Sequence, residues 1–477
     1  MKKEDLFEAI GEIDGQSVQR AENYRAARKP AWVRWAALAA CIALLVGAFA
    51  AVPLLKNGTG GFGFGVTAVR ANYPKSAVKK MSPQKFMDGS AYWTWLVDYE
   101  KKTSVSSELQ AGMDGYYAAI MKQLLPSEDE NTVCSPLNTY IAVAMLAEIT
   151  GGNTRQQILD VLDVPDVDTL RKNVHALWEG NYAETPVLTS LLANSIWLNK
   201  DVPYKDETLN TLAEQYYASS FCGRPGSEAM DKALQTWTDK NTGGLLNEYT
   251  KDMQLDPGTV LALVSTIYYK AMWVNDFSLN ATKQKTFHGT KGDTIVDMMY
   301  QSDDMGVCRT DAFTAVGLSL NDSGYMYFYL PNEGTDVNAL SSDPDVFRVL
   351  QRDGEGWFWP IVHMSVPRFH ISEKTDLLET MRALGVTDAL DPHVSDFTSL
   401  TEGADQIIVS AAEHTAMVEI DEQGVKGAAY TEVDIYPTAA AEEEEEEIDF
   451  VLDRPFMFVI TGADGSILFS GVVRNIE

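Results

Sequence analysis

The sequence predicts one large α+β domain behind an N-terminal membrane segment, and three observations lead there. A chain of 477 residues that is 45% apolar and 22% charged can bury a large core. Ser135-Pro136, ahead of an apolar stretch containing Ala142 to Ala147, reads as a helix start. Proline is tolerated in a first turn, and a serine there accepts a hydrogen bond from the open amides. Residues 425 to 436 alternate with period two, which reads as a strand with one buried face. The expected organisation is a cytoplasmic segment over 1–34, a transmembrane anchor over 35–55, a glycine-rich linker and stalk over 56–107, and the folded domain over 108–477.

The N-terminal elements are justified by charge and length. From Trp35 to Leu55 the chain is uncharged for 21 residues, a helix of about 31 Å that matches the hydrocarbon thickness. Arg20, Arg25, Arg28, Lys29 and Arg34 precede it, while Lys56 alone follows closely. The positive-inside rule therefore keeps the N-terminus cytoplasmic and exports the rest. A cleaved signal ending at Ala48-Phe49-Ala50, with secretion of the domain, is the alternative, and the 34-residue leader argues against it. Lipidation at Cys41 is disfavoured because few apolar residues precede it. Asn57 to Gly65 holds five glycines in nine residues, a backbone too free for regular structure. From there to about Ser107, turn and basic residues show no sustained period, hence the expected stalk.

Several function classes drop out. A formal net charge of −30 repels phosphate backbones, so no nucleic-acid partner is expected. Cys41, Cys134, Cys222 and Cys308 are too few and scattered for a disulfide framework, and no C-x-x-C or paired-histidine spacing points to a metal. No G-x-S-x-G elbow occurs, so no enzyme of the Ser/His/Asp type is expected. No cofactor is expected either.

Within 108–477 a series of motifs appears in order. Asn131 to Leu137 with Gly152-Asn153-Thr154-Arg155, Thr189 to Trp197, Trp237 to Leu246, and Val264 to Trp273 come first. Tyr329-Leu330-Pro331, Val366-Pro367-Arg368-Phe369, Asp396-Phe397-Thr398, Pro455 to Phe458 and Ile467 to Asn475 follow. Together they resemble the serpins, serine protease inhibitors, over about 370 residues with regular spacing. The resemblance implies a central five-stranded mixed sheet, smaller sheets, eight to nine helices and an exposed reactive loop, in a monomer without catalytic residues. It also implies a buried polar shutter, here Ser135, Pro136, Ser265 and His414. Ser265 stands where the family usually has asparagine, and Ala271 replaces the usual glycine. A shorter hydroxyl reaches less far, so one buried polar atom is expected to need a water.

Glu419 to Gly424 resembles the family's hinge, whose expected residues here are Glu422, Gly424, Val425, Gly427, Ala428 and Ala429. In the alternating segment, Val425, Gly427, Ala429, Thr431, Val433 and Ile435 are small or apolar, while Lys426, Tyr430, Glu432, Asp434 and Tyr436 carry charges or polar tips. A permanently solvated bait loop has no need of a buried face, so the pattern is that of a loop encoded to enter a sheet. By the family's spacing, about sixteen residues past the hinge glutamate, the reactive bond falls at Thr438-Ala439. Small residues there imply an elastase-like or subtilisin-like protease as partner, and no Lys or Arg lies between Lys426 and Arg454 to suit a trypsin-like one. The six glutamates from Glu442 to Glu447 lengthen the loop and keep it solvated. The alternative is a non-inhibitory serpin acting as a binding or structural module.

Overall fold

The computed structural model describes residues 60–476 except 63–65, 72, 75–77, 245–249, 352–355, 403–406 and 426–445. The 35–55 run, the reactive bond Thr438-Ala439 and the hinge positions Gly427, Ala428 and Ala429 lie outside the described residues. No helix among the described residues is long and apolar enough to cross a membrane.

Three sheets form the frame. The main one carries five long strands: β6 (Ala218–Gly223), β5 (Leu188–Asn199), β7 (Leu261–Met272), β16 (Ala411–Asp421) and β15 (Phe369–Asp376). The other four of its nine strands are short: β4 (Ala183–Glu184) beside β5, β17 (Gly424–Val425) between β7 and β16, and the hairpin β1 (Gly60–Phe62) and β2 (Val66–Val69) on the outer edge of β6. β5 and β7 pair antiparallel along eleven residues, from Leu188↔Ala271 to Leu198↔Leu261. The second sheet runs from β13 (Trp357–Phe358) and β10 (Val307–Arg309) through β11 (Phe313–Ser319), β12 (Tyr325–Pro331), β19 (Phe456–Thr461), β20 (Ile467–Val473) and β3 (Thr132–Cys134), its central strands having few exposed positions and forming the centre of the core. The third places β14 (Ile361–Pro367) between β9 (Gly292–Asp304) and β18 (Glu447–Val451), with β8 (Lys283–Gly289) on the other edge of β9.

Residues 56–107, expected to be a linker and stalk, differ from that expectation wherever they are described. Val66–Val69 hydrogen-bonds to β6 through Thr67↔Cys222, Ala68↔Phe221 and Val69↔Ser220, and Val66 and Ala68 are buried. Two helices follow, α1 (Pro83–Asp88) and α2 (Ser90–Ser107). Phe86 and Tyr92 pack edge to face with ring centroids 4.2 Å apart, over Val78. Ser106 Oγ, near the end of α2, donates to the buried Asp464 carboxylate at 2.7 Å, and Tyr92 donates to Asp322 at 3.0 Å. The segment escaped a periodicity reading because β2 is four residues long with a partner about 150 residues away, and α2 is apolar on two faces.

Of the helices that follow, the one opened by Ser135-Pro136 runs as expected. α3 (Asp114–Leu124) precedes β3, and α4 (Pro136–Ile149) starts where Ser135 accepts from the Asn138 amide with Pro136 in the first turn. α4 is buried along its whole length, enclosed by β7, β20 and the flanking helices α5 (Gly152–Val161) and α6 (Val167–Asn181). Its continuous apolar face follows from that position.

Candidate functional site

Two groups of residues converge on the boundary between β7 and β16. At one end the strands pair directly and in parallel, Ala411↔Ala262 through His414↔Ser265. At the other, Gly424 and Val425 lie between them: Val425 pairs with Ala271 on β7 and with Ile420 on β16, antiparallel to both. Between these contacts, no ladder joins residues 266–270 to 415–419 among the described residues. A narrow cleft lies there, lined by Ile267, Tyr269, Thr415, Met417, Val418 and Val425.

The closed end holds the four predicted shutter residues. His414 is 1% exposed, and its Nε2 accepts the Ser135 backbone N–H at 2.9 Å. Burial lowers the His414 pKa to about 4, so the ring is neutral near pH 7. Among the described residues, Asn138 Nδ2, Asn194 Nδ2 and His414 Nδ1 have no hydrogen-bond partner, in line with the expectation that the short hydroxyl of Ser265 leaves a buried polar atom unpaired. Ser265 Oγ lies 2.6 Å from Asn138 Oδ1 on α4 and 2.5 Å from Asn194 Oδ1 on β5, all three residues being buried. A hydroxyl has one proton, so at any moment it donates to one of these two amide oxygens. Two asparagines on neighbouring elements thus bring the amide groups that the strand itself lacks. Sequence reasoning missed both, although each is a lone amide in an apolar stretch, Leu137-Asn138 and Ala193-Asn194. Pro136 contributes the first turn of α4 and no side-chain hydrogen bond.

The open end holds the hinge residues. Glu422 is buried, and Arg368 clamps its carboxylate, with Nε 2.9 Å from Oε2 and Nη2 2.5 Å from Oε1. Thr282 donates to Oε1 at 2.6 Å. Burial alone would raise the Glu422 pKa, but the Arg368 and Thr282 hydrogen bonds more than offset it and leave the carboxyl below its ordinary value. The backbone is fixed as well: the Trp273 amide donates to Gln423 O at 3.0 Å, Trp273 Nε1 to Asp421 O at 2.9 Å, and the Phe277 amide to Glu422 O at 2.9 Å. A Cβ on Gly424 would sit 2.1 Å from the Ala271 carbonyl oxygen, so only glycine brings the chain this close to β7. Arg368 and Thr282 were not foreseen as partners of the hinge, since both lie over fifty residues away in sequence.

The arrangement presents no nucleophile with an adjacent base, and no cluster of His, Cys, Asp or Glu able to hold a metal occurs among the described residues. Three sheets, with Gly424 and Val425 seated between two central strands of the main one, define an α+β protein. Residues 115–476 match the model of the family Serpin (serine protease inhibitor), and the chain belongs to that family, whose members are protease inhibitors rather than enzymes. A serine protease inhibitor from Cyanea capillata is 26% identical, the match covering 74% of this chain and 94% of the relative. Serpin-Z2A from Oryza sativa is 27% identical, over 76% and 96%. The native state of tengpin, a thermophilic serpin, superposes with a TM-score of 0.68 at 22% identity, over 76% of this chain and 93% of tengpin. Human thyroxine-binding globulin with its ligand superposes at 0.65 and 23% identity, over 79% and 99%; these two structures establish the shared fold.

Proposed function

We propose that this serpin is a suicide-type inhibitor of serine proteases with small primary pockets, elastase-like or subtilisin-like, acting outside the cell from a membrane anchor at residues 35–55. In this reading the protease attacks Thr438-Ala439 as a substrate bond, the serine forms an acyl-enzyme with the Thr438 carbonyl, and the amine of Ala439 leaves with the C-terminal peptide. The freed loop then enters the main sheet, carrying the tethered enzyme across the molecule before water can reach the ester.

The observation that carries the reading is Val425, already seated as a two-residue strand at the mouth of an unpaired stretch between β7 and β16. Continued six residues in that register, the chain would bring Thr431 opposite Ser265 on one side and His414 on the other, the pair that closes the gap from the far end. Both flanks give the same residue. Because Val425 is buried, Gly427, Ala429 and Thr431 would share its inward face and Lys426, Tyr430 and Glu432 would face out. No charge would be taken into the core over these residues.

The test uses the full chain in detergent with an elastase-type and a subtilisin-type protease. A band at the summed mass that survives denaturant, together with a released peptide beginning near Ala439, supports inhibition at this bond. Cleavage without a covalent band across the panel would move the assignment to a non-inhibitory binding module, a use of the fold that thyroxine-binding globulin exemplifies for its own ligand.

A further inference from the structure

Helix α2 has an apolar face turned away from the protein. Its inward side carries Tyr92, Tyr99, Thr103 and Ser106, all buried. On the opposite side Trp93, Val97, Lys101 and Val105 follow one another at four-residue steps, a single ridge down the helix. Trp93 is 57% exposed, Val97 65% and Val105 53%. Isolated exposed apolar residues are ordinary, but three in register on one ridge, with a tryptophan at one end and a lysine between them, make a surface that water solvates poorly. Ser90, Thr94 and Ser104 flank it with small uncharged groups, and the exposed carboxylates Asp98, paired with Lys102 at 3.1 Å, and Glu100 border it on either side.

We propose that this face of α2 lies on an anionic phospholipid surface. Charge is the first argument. Residues 66–107 hold seven Lys or Arg against three Asp or Glu, in a chain whose formal charge is −30. The negative excess therefore lies elsewhere; α2 itself is neutral, Lys101 and Lys102 against Asp98 and Glu100, while Arg70, Lys75, Lys79, Lys80 and Lys85 against Asp88 precede it, so the segment leading into the ridge is one an anionic bilayer attracts. Side-chain chemistry is the second. Tryptophan is at home at the level of the headgroups, and a lysine between apolar neighbours can bury its methylenes while its ammonium reaches a phosphate. Chain length is the third, and it rests on the anchor reading of residues 35–55. The chain enters the main sheet at Gly60, five residues after Leu55, a span that full extension limits to about 18 Å. A membrane that held the apolar run would lie within that span of the point where the chain enters the sheet. Docking through α2 adds an interfacial contact to a single span and limits the orientations in which the loop meets a protease.

Lipid photolabelling of the full chain tests this. The chain is reconstituted in phosphatidylcholine vesicles containing phosphatidylglycerol and a diazirine phospholipid, and adducts are mapped by peptide mass spectrometry. The expected result is adducts both within 35–55 and on α2 at Trp93 and Val97. The α2 adducts should fall several-fold when phosphatidylglycerol is replaced by phosphatidylcholine. In the surface variant W93S/V97S/V105S they should be lost while those in 35–55 persist. Adducts on α2 alone would uphold the docking and overturn the anchor. Adducts in 35–55 alone would overturn the docking and leave the anchor standing. No adducts on either, or protection of α2 that accompanies dimerisation without lipid, would overturn the docking in favour of no occupant or of a second copy.

Discussion

His414 accepts, through Nε2, a hydrogen bond from the backbone amide of Ser135 at 2.9 Å, joining β16 to the start of α4 across the gap-closing end of the main sheet. An accepting nitrogen carries no proton, and burial lowers the ring's pKa from 6.5 to about 4. The unfolded chain recovers the ordinary value near 6.5, so between these limits it binds more protons than the native state. Stability is complete above about pH 6.5 and is lost as pH falls toward 4, by about 3 kcal/mol. Thermal unfolding of wild type from pH 7.5 to 4 should show this slope, and H414N should flatten it. Parallel slopes in the two proteins would remove His414 as the cause.

Ser265 offers a sharper test, because the residue usual in the family is expected to be the worse one here. Asn138 Oδ1 and Asn194 Oδ1 already sit within 2.6 Å of its hydroxyl. S265N would force a third amide into a filled, buried site and lower stability by about 1–3 kcal/mol through overpacking. S265A would leave the two amides without their common partner, at roughly 2 kcal/mol. Thermal midpoints settle both, and a rise with S265N would show that the site has room for the longer side chain.

How much of this could be read beforehand follows from the range of each signal. A local one was legible: the Ser135-Pro136 cap opens α4 as expected, while the motifs 189–197 and 264–273, which carry the family resemblance, fall on β5 and, up to Met272, on β7. The period of two belongs to residues 425–436, which apart from Val425 lie outside the described residues; alternate burial appears in β16, where Ala412, His414, Ala416, Val418 and Ile420 face inward, a strand that the sequence reading did not single out. Long-range partners were not legible. Nothing near Glu422 indicates Arg368 or Thr282, and nothing in Leu137-Asn138 indicates that its amide meets Ser265 across a helix–sheet boundary. The segment 66–107 failed for another reason. A helix with apolar residues on both faces has no clean 3.6 period, and only the packing tells that Tyr92 and Tyr99 face in while Trp93 and Val97 face out.

The Arg368–Glu422 pair holds the hinge in its seat, so removing the cation should release it. R368A would leave a buried carboxylate with Thr282 as its remaining side-chain donor. Since the Arg368 side chain is 39% exposed and partly screened, the loss should be roughly 2 kcal/mol, below the full value of a buried pair. Hydrogen exchange at the amides of Gly424 and Val425 should quicken with it. Unchanged protection of both amides would mean that the backbone bonds to Trp273 and Phe277 are sufficient alone.

Register arithmetic makes the last expectation specific to single residues. If the loop inserts in the register begun by Val425, Thr431 lands between Ser265 and His414, facing the core, and Glu432 faces solvent. T431R would then oblige insertion to bury a charge at the most crowded point of the gap, slowing it against hydrolysis of the acyl-enzyme. The variant should be cleaved as a substrate, with the covalent complex falling at least about tenfold, the effect of about 1.4 kcal/mol on the competing barriers. E432R changes the charge by two units yet should leave the complex yield near that of wild type, because its side chain never leaves water. Gel quantification of complex against cleaved product compares the two directly. Equal losses would point to a charge effect on protease encounter, and a loss with E432R alone would place the inserted strand one residue out of this register.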